Sequence, residues 1–78
     1  MILSRLENIF QDIFDSPSLH IGEDTAPPNI PDWDSVAQVK LVLATEEHFG
    51  IGFTTDEVAS LKKVGDFIRV LKAKGLSD

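Results

Sequence analysis

One serine stands out among the residues that could do chemistry. Ser35 follows Asp34 in the stretch Asp32-Trp33-Asp34-Ser35-Val36, between a proline-rich segment and an apolar run of helical character. A hydroxyl at that junction sits at the N-cap or in the first turn of a helix. Free backbone N–H groups and the positive end of the helix dipole there favour an anion such as phosphate. Asp34 and Ser35 are also ordinary capping residues, so capping alone accounts for their types.

The other reactive groups do not gather around this serine. His20 and His48 are the only imidazoles. His48 lies thirteen residues beyond Ser35, which is about 20 Å along a helix at 1.5 Å per residue. A serine–histidine pair needs hydrogen-bond contact, so one helix cannot bring these two together. His20 could approach from a loop, but nothing in the sequence supports a triad. There is no cysteine, no His-x-x-x-His and no calcium-loop spacing, so no metal site is expected. Gly50 and Gly52 lack the phosphate-loop pattern and read as turn glycines. What remains is a serine that another enzyme modifies. Its hydroxyl can accept a phosphoryl group, and the resulting phosphodiester would lie where the dipole favours an anion.

Four helices must position that hydroxyl. Ile2, Leu6, Ile9 and Ile13 recur at helical spacing, widened by Leu3, Phe10 and Phe14, and predict a helix over residues 2–15. Asp15-Ser16-Pro17 ends it. Residues 16–34 form a long loop, in which Leu19, Ile21 and Ile30 are spaced as anchors and Pro27, Pro28 and Pro31 hold the backbone extended. The second helix runs from Ser35 to His48 or Phe49, with Gly50 as its stop. Its inward stripe is expected to be Val36, Val39, Val42, Leu43 and Phe49, broadened by Leu41. Ile51 and Phe53 plug the core from an extended connector. Thr54-Thr55-Asp56-Glu57 is a capped start for a short third helix, over residues 56–61, that buries Val58 and Leu61. Val64, Phe67, Ile68 and Leu71 mark a last helix over residues 64–74, although Lys62-Lys63 offers no side-chain acceptor for a cap. The fold class is therefore all-α: a small four-helix bundle with a long first loop and a short third helix, forming one domain over residues 1–78. Phe10, Phe14, Phe49, Phe53 and Phe67 supply much of the burial, at roughly 1.5–3 kcal/mol for each ring fully removed from water.

Composition narrows the partners. Residues 1–57 carry eleven carboxylates against Arg5 and Lys40, whereas residues 58–78 carry an excess of cations. A surface this acidic argues against nucleic acid or anionic membrane and suits docking onto basic protein surfaces. The longest apolar run, Leu41 to Ala44, is four residues, far short of a membrane span. Met1-Ile2-Leu3-Ser4-Arg5 lacks the pattern of a secretory signal. A cytoplasmic monomer is expected.

The run Asp34-Ser35-Val36, with Leu41-Val42-Leu43-Ala44 and then Glu46-Glu47-His48-Phe49-Gly50-Ile51, resembles the acyl carrier proteins. Members of that family open the second helix with an Asp-Ser-Leu-type motif and close it with Glu-Glu-x-Phe. The resemblance implies that Ser35 is esterified with 4'-phosphopantetheine, donated by coenzyme A through a separate phosphopantetheinyl transferase. The arm would then hold an acyl or aminoacyl group as a thioester between a loading enzyme and downstream synthase or tailoring enzymes. The domain itself would catalyse nothing. It further implies that partners read the second helix and adjoining loop, with Asp34 as the motif residue beside the attachment site. Trp33, Val36, Val39, Lys40, Glu46 and Glu47 would make the contacts. Departures from the fatty-acid type point elsewhere in the family: Asp32-Trp33 precedes the motif, and Ala37 and Lys40 stand where acids are usual. The Trp33-Asp34-Ser35 form is similar to discrete carriers of polyketide, hybrid peptide and related specialised pathways. The Phe-rich core implies a short or polar cargo. The alternative is an unmodified helical adaptor that binds a partner through the same helix.

Overall fold

The structure, a computed structural model, describes residues 2–77. Helix α1 (Ile2–Ile13) buries Ile2, Leu6, Ile9 and Phe10 of the stripe its spacing predicts, with Leu3, Ile13 and Phe14 half-buried against the core. It stops two residues earlier than expected. Asp15 turns left-handed (φ 49°) and the Ser16 N–H reaches back to the Gln11 carbonyl at 2.9 Å, satisfying an end-of-helix acceptor.

The loop that follows is ordered by its anchors. Ile21 and Ile30 are buried and Leu19 is half-buried against the core. The Glu7 carboxylate of α1 accepts the Ile21 N–H at 3.0 Å, and Gln11 donates to the Leu19 carbonyl at 2.9 Å. The proline segment departs from the extended backbone expected of it: Pro27–Asn29 forms a single 3-10 turn. Proline is tolerated in a first helical turn because its missing N–H would be unpaired there.

Helix α2 (Ser35–Phe49) ends at Gly50 (φ 67°), where the lack of a side chain permits the left-handed cap. Its orientation differs from the expected one. Leu41, Val42 and Phe49 face the core, but Val36, Val39 and Leu43 are 63%, 58% and 58% exposed. Ala37 and Thr45 are buried in their place, the Thr45 hydroxyl donating to the Leu41 carbonyl at 2.7 Å. Apolar residues lie all round this helix, so spacing alone could not choose the inward side. Two small side chains let α2 pack closely where larger ones would stand it off.

Helix α3 (Thr55–Ala59) opens with a reciprocal cap: Thr54 accepts from the Glu57 N–H at 3.1 Å while Glu57 accepts from the Thr54 N–H at 2.8 Å. Leu61 is buried just beyond its end and Val58 is half-buried. Helix α4 (Val64–Ala73) solves its missing cap in two ways. The Asp66 carboxylate reaches back to the Lys62 and Lys63 N–H groups at 2.8 and 3.1 Å. The first loop supplies the rest, with Val64 and Gly65 donating to the Thr25 and Glu23 carbonyls at 2.9 and 2.8 Å. A Cβ on Gly65 would stand 2.9 Å from the Glu23 carbonyl oxygen, so this close approach requires glycine.

An aromatic cluster joins the loop to α1 and α4. Phe10 packs edge-on against Trp33 at 5.2 Å and against Phe67 at 6.0 Å, with Phe14 alongside at 6.0 Å. Phe10, Phe49 and Phe67 are buried, whereas Phe14 and Phe53 are half-buried against the same core.

Candidate functional site

Ser35 is the first residue of α2, and its side chain is exposed. Asp34 is the N-cap: extended backbone places its carboxylate to accept the Ala37 N–H at 2.9 Å, while its carbonyl accepts the Gln38 N–H at 2.9 Å. The pair therefore divides its work. Asp34 holds the helix start, and that leaves the neighbouring hydroxyl free of a structural duty. A bulky ester could be built on Ser35 without displacing packed atoms, and its negative charge would lie at the favourable end of a fifteen-residue helix.

Beside Ser35 runs an open groove of about 480 Å³ whose lining includes Trp33, Gln38, Val58 and Leu61. Asp34 and Lys62 add charges of opposite sign to its lining. Sequence reasoning missed Gln38 and Lys62. The signal for Gln38 was available, since it lies one helical turn beyond Ser35 as an uncharged polar residue in an apolar stretch. Its carbonyl oxygen accepts the Trp33 indole N–H at 2.7 Å and its amide donates to the Leu61 carbonyl at 3.3 Å.

The residues expected to face partners separate into three groups. Val36, Val39 and Lys40 are exposed on α2, as is Glu47 lower on the same helix. With Leu43 they make an apolar stripe edged by charge. Glu46 is half-buried and its carboxylate accepts the Phe53 N–H at 2.7 Å, tying the connector after α2 to the helix. Trp33 does not belong to the surface. It is 6% exposed, because a turn from the Ile30 carbonyl to the Trp33 N–H at 2.9 Å swings the indole inward against Phe10. Of the two histidines, His20 lies 3.6 Å from Glu7, and His48 accepts from the Arg5 guanidinium at 3.2 Å. That guanidinium also stacks over the Phe49 ring at 4.2 Å. Among the described residues no three His, Asp or Glu side chains converge as a metal site, and no helix is long and apolar enough to cross a membrane.

Known proteins resemble this chain in sequence and fold. No protein-family model matches the chain. An acyl carrier protein of Acidothermus cellulolyticus is 34% identical over 67 residues, which cover 86% of this chain and 80% of that protein. An acyl carrier protein of Lactobacillus acidophilus is 31% identical over 72 residues, or 92% of this chain and 90% of that one. The solution structure of a holo acyl carrier protein from Geobacter metallireducens superposes with a TM-score of 0.80 at 29% identity, covering 97% of this chain and 94% of the other. Sequence likeness over most of both lengths and the shared all-helical fold agree: the chain belongs to the acyl carrier protein family.

Proposed function

We propose that Ser35 carries a 4'-phosphopantetheine arm and that the four helices act together as one non-catalytic carrier of acyl or aminoacyl thioesters. The observation that carries this reading is an exposed hydroxyl on the first residue of α2, whose cap is supplied by its neighbour Asp34. Likeness to a protein solved in its holo form supports it. When attached, the arm supplies a thiol for thioester exchange. The chain's own residues hold its anchor point, orient it along the groove and offer a docking face. Attachment would form a phosphodiester from the Ser35 oxygen to the pantetheine phosphate of coenzyme A. The nucleotide bisphosphate departs, and the hydroxyl proton goes to a base of the transferase.

The docking face is the exposed side of α2, with Val36, Val39 and Leu43 as its apolar stripe and Lys40 and Glu47 as its charges; Glu46, turned to the Phe53 N–H, braces the helix behind it. Lys40 and the uncharged Ala37 replace the acids usual in fatty-acid carriers, which supports service in a specialised pathway such as polyketide or hybrid peptide synthesis. Its partners would be a phosphopantetheinyl transferase, a loading enzyme and downstream synthase or tailoring enzymes.

Incubation with coenzyme A, magnesium and a broad-specificity phosphopantetheinyl transferase tests the reading by intact mass. Wild type gains one pantetheinyl increment and Ser35→Ala gains none, with thermal stability within about 0.5 kcal/mol because the site is exposed. No gain in the wild type would overturn the carrier reading and leave an unmodified adaptor.

A further inference from the structure

We infer that Trp33 and Gln38 close the space beside Ser35, so that the cargo stays outside the helical core and is a short acyl group rather than a long alkyl chain. The inference rests on the carrier reading and specifies what the arm holds. A chain entering the bundle from the groove beside Ser35 would have to part Trp33 from Leu61. One side chain ties the two: Gln38 accepts the Trp33 indole N–H at 2.7 Å and donates to the Leu61 carbonyl at 3.3 Å. Parting them breaks two hydrogen bonds at half-buried groups, a cost that an entering chain would have to offset.

Behind Trp33 the interior is aromatic and buried. Trp33 is 6% exposed and lies edge-on to Phe10 at 5.2 Å, and Phe10 in turn meets Phe67 at 6.0 Å with both rings fully buried. Protein interiors are close-packed in general and do not admit a string of methylenes without rearrangement. The groove outside is open and carries Asp34, Gln38 and Lys62 in its lining. An alkyl chain lying there keeps much of its surface in water and gains little.

The test loads Ser35 through the transferase with acetyl-, octanoyl- and dodecanoyl-coenzyme A. Trp33 is the only tryptophan, so its indole N–H gives a single resonance to follow. The expected result is an unmoved indole resonance and melting temperatures within about 3 °C of one another across the series. An octanoyl or dodecanoyl form that shifts that resonance, or melts higher than the acetyl form by more than this, overturns the inference while leaving the carrier reading intact. Gln38→Leu keeps size and helix propensity but removes both ties. In that variant the dodecanoyl form should melt more than about 3 °C above the acetyl form. A flat series there overturns the role given to Gln38. Failure of every donor to load wild-type Ser35 overturns the carrier reading and this inference together.

Discussion

Helices α1 and α4 each turn one apolar stripe inward, whereas α2 spends its apolar residues on two sides. In α4 the buried residues are Val64, Phe67, Ile68, Val70 and Leu71, and its cations lie outside. In α2 the buried set includes Leu41, Val42 and Phe49, yet Val36, Val39 and Leu43 face solvent at i, i+3 and i+7. A helix that only holds the fold together has no reason to align three exposed apolar side chains. One that must also be gripped by another protein does, and the contrast between α4 and α2 is what supports the proposed docking face.

The largest expected effect sharpens that contrast. Phe10→Ala should lose about 3–5 kcal/mol of unfolding free energy, because a fully buried ring leaves a cavity. Leu43→Ser, although also an apolar residue removed, should change stability by no more than about 0.5 kcal/mol. Urea midpoints at constant slope measure both, and a comparable loss in the two variants would erase the distinction between the faces. Next comes the joint between the first loop and α4. Gly65→Ala pushes a methyl toward the Glu23 carbonyl and should cost about 1–3 kcal/mol, read from the same denaturation curves. Leaving Asp66 in place isolates the backbone contact, since its carboxylate caps independently.

The smallest effect concerns the ends of α3 and α4. The Lys74 ammonium, bonded to Glu57 at 2.8 Å, and the Thr54 N–H hold the Glu57 carboxyl below the usual glutamate range. A depressed carboxyl binds fewer protons folded than unfolded, so its contribution is present above the ordinary glutamate range. It is lost as pH falls through that range to the lower folded value. Glu57→Gln should therefore flatten part of the acid limb in thermal melts and leave the neutral-pH shape unchanged. A steeper acid limb in the variant would reverse the sign.

Much of this molecule could be read from its residues because the informative ones act locally. Gly50, Pro17 and the Thr54-to-Glu57 pair punctuate helices through their own backbone or nearest neighbours, and the structure places element ends close to them. Readings that needed a distant partner fared worse. The start of α4 has no side-chain acceptor at Lys63; Asp66 reaches back from within the helix, and the loop carbonyls of Glu23 and Thr25, some forty residues away, accept the N–H groups of Val64 and Gly65. The facing of α2 depended on where small Ala37 and Thr45 meet the core, which no spacing rule records. Trp33 reads as a surface contact until one sees the turn that aims it at Phe10. For the candidate site, Asp34 and Ser35 were legible as a helix start, whereas the Gln38 link to Leu61 joins residues 23 apart in the chain.

The most direct measurement of whether α2 serves a second surface is transferase kinetics on Val39→Ser, Leu43→Ser, with melting temperature recorded on the same samples. The account predicts that kcat/KM for modification of Ser35 falls about tenfold or more, equivalent to at least ~1.4 kcal/mol, while the melting temperature stays where it was. Unchanged kinetics, or a loss that only follows a fall in stability, would contradict it.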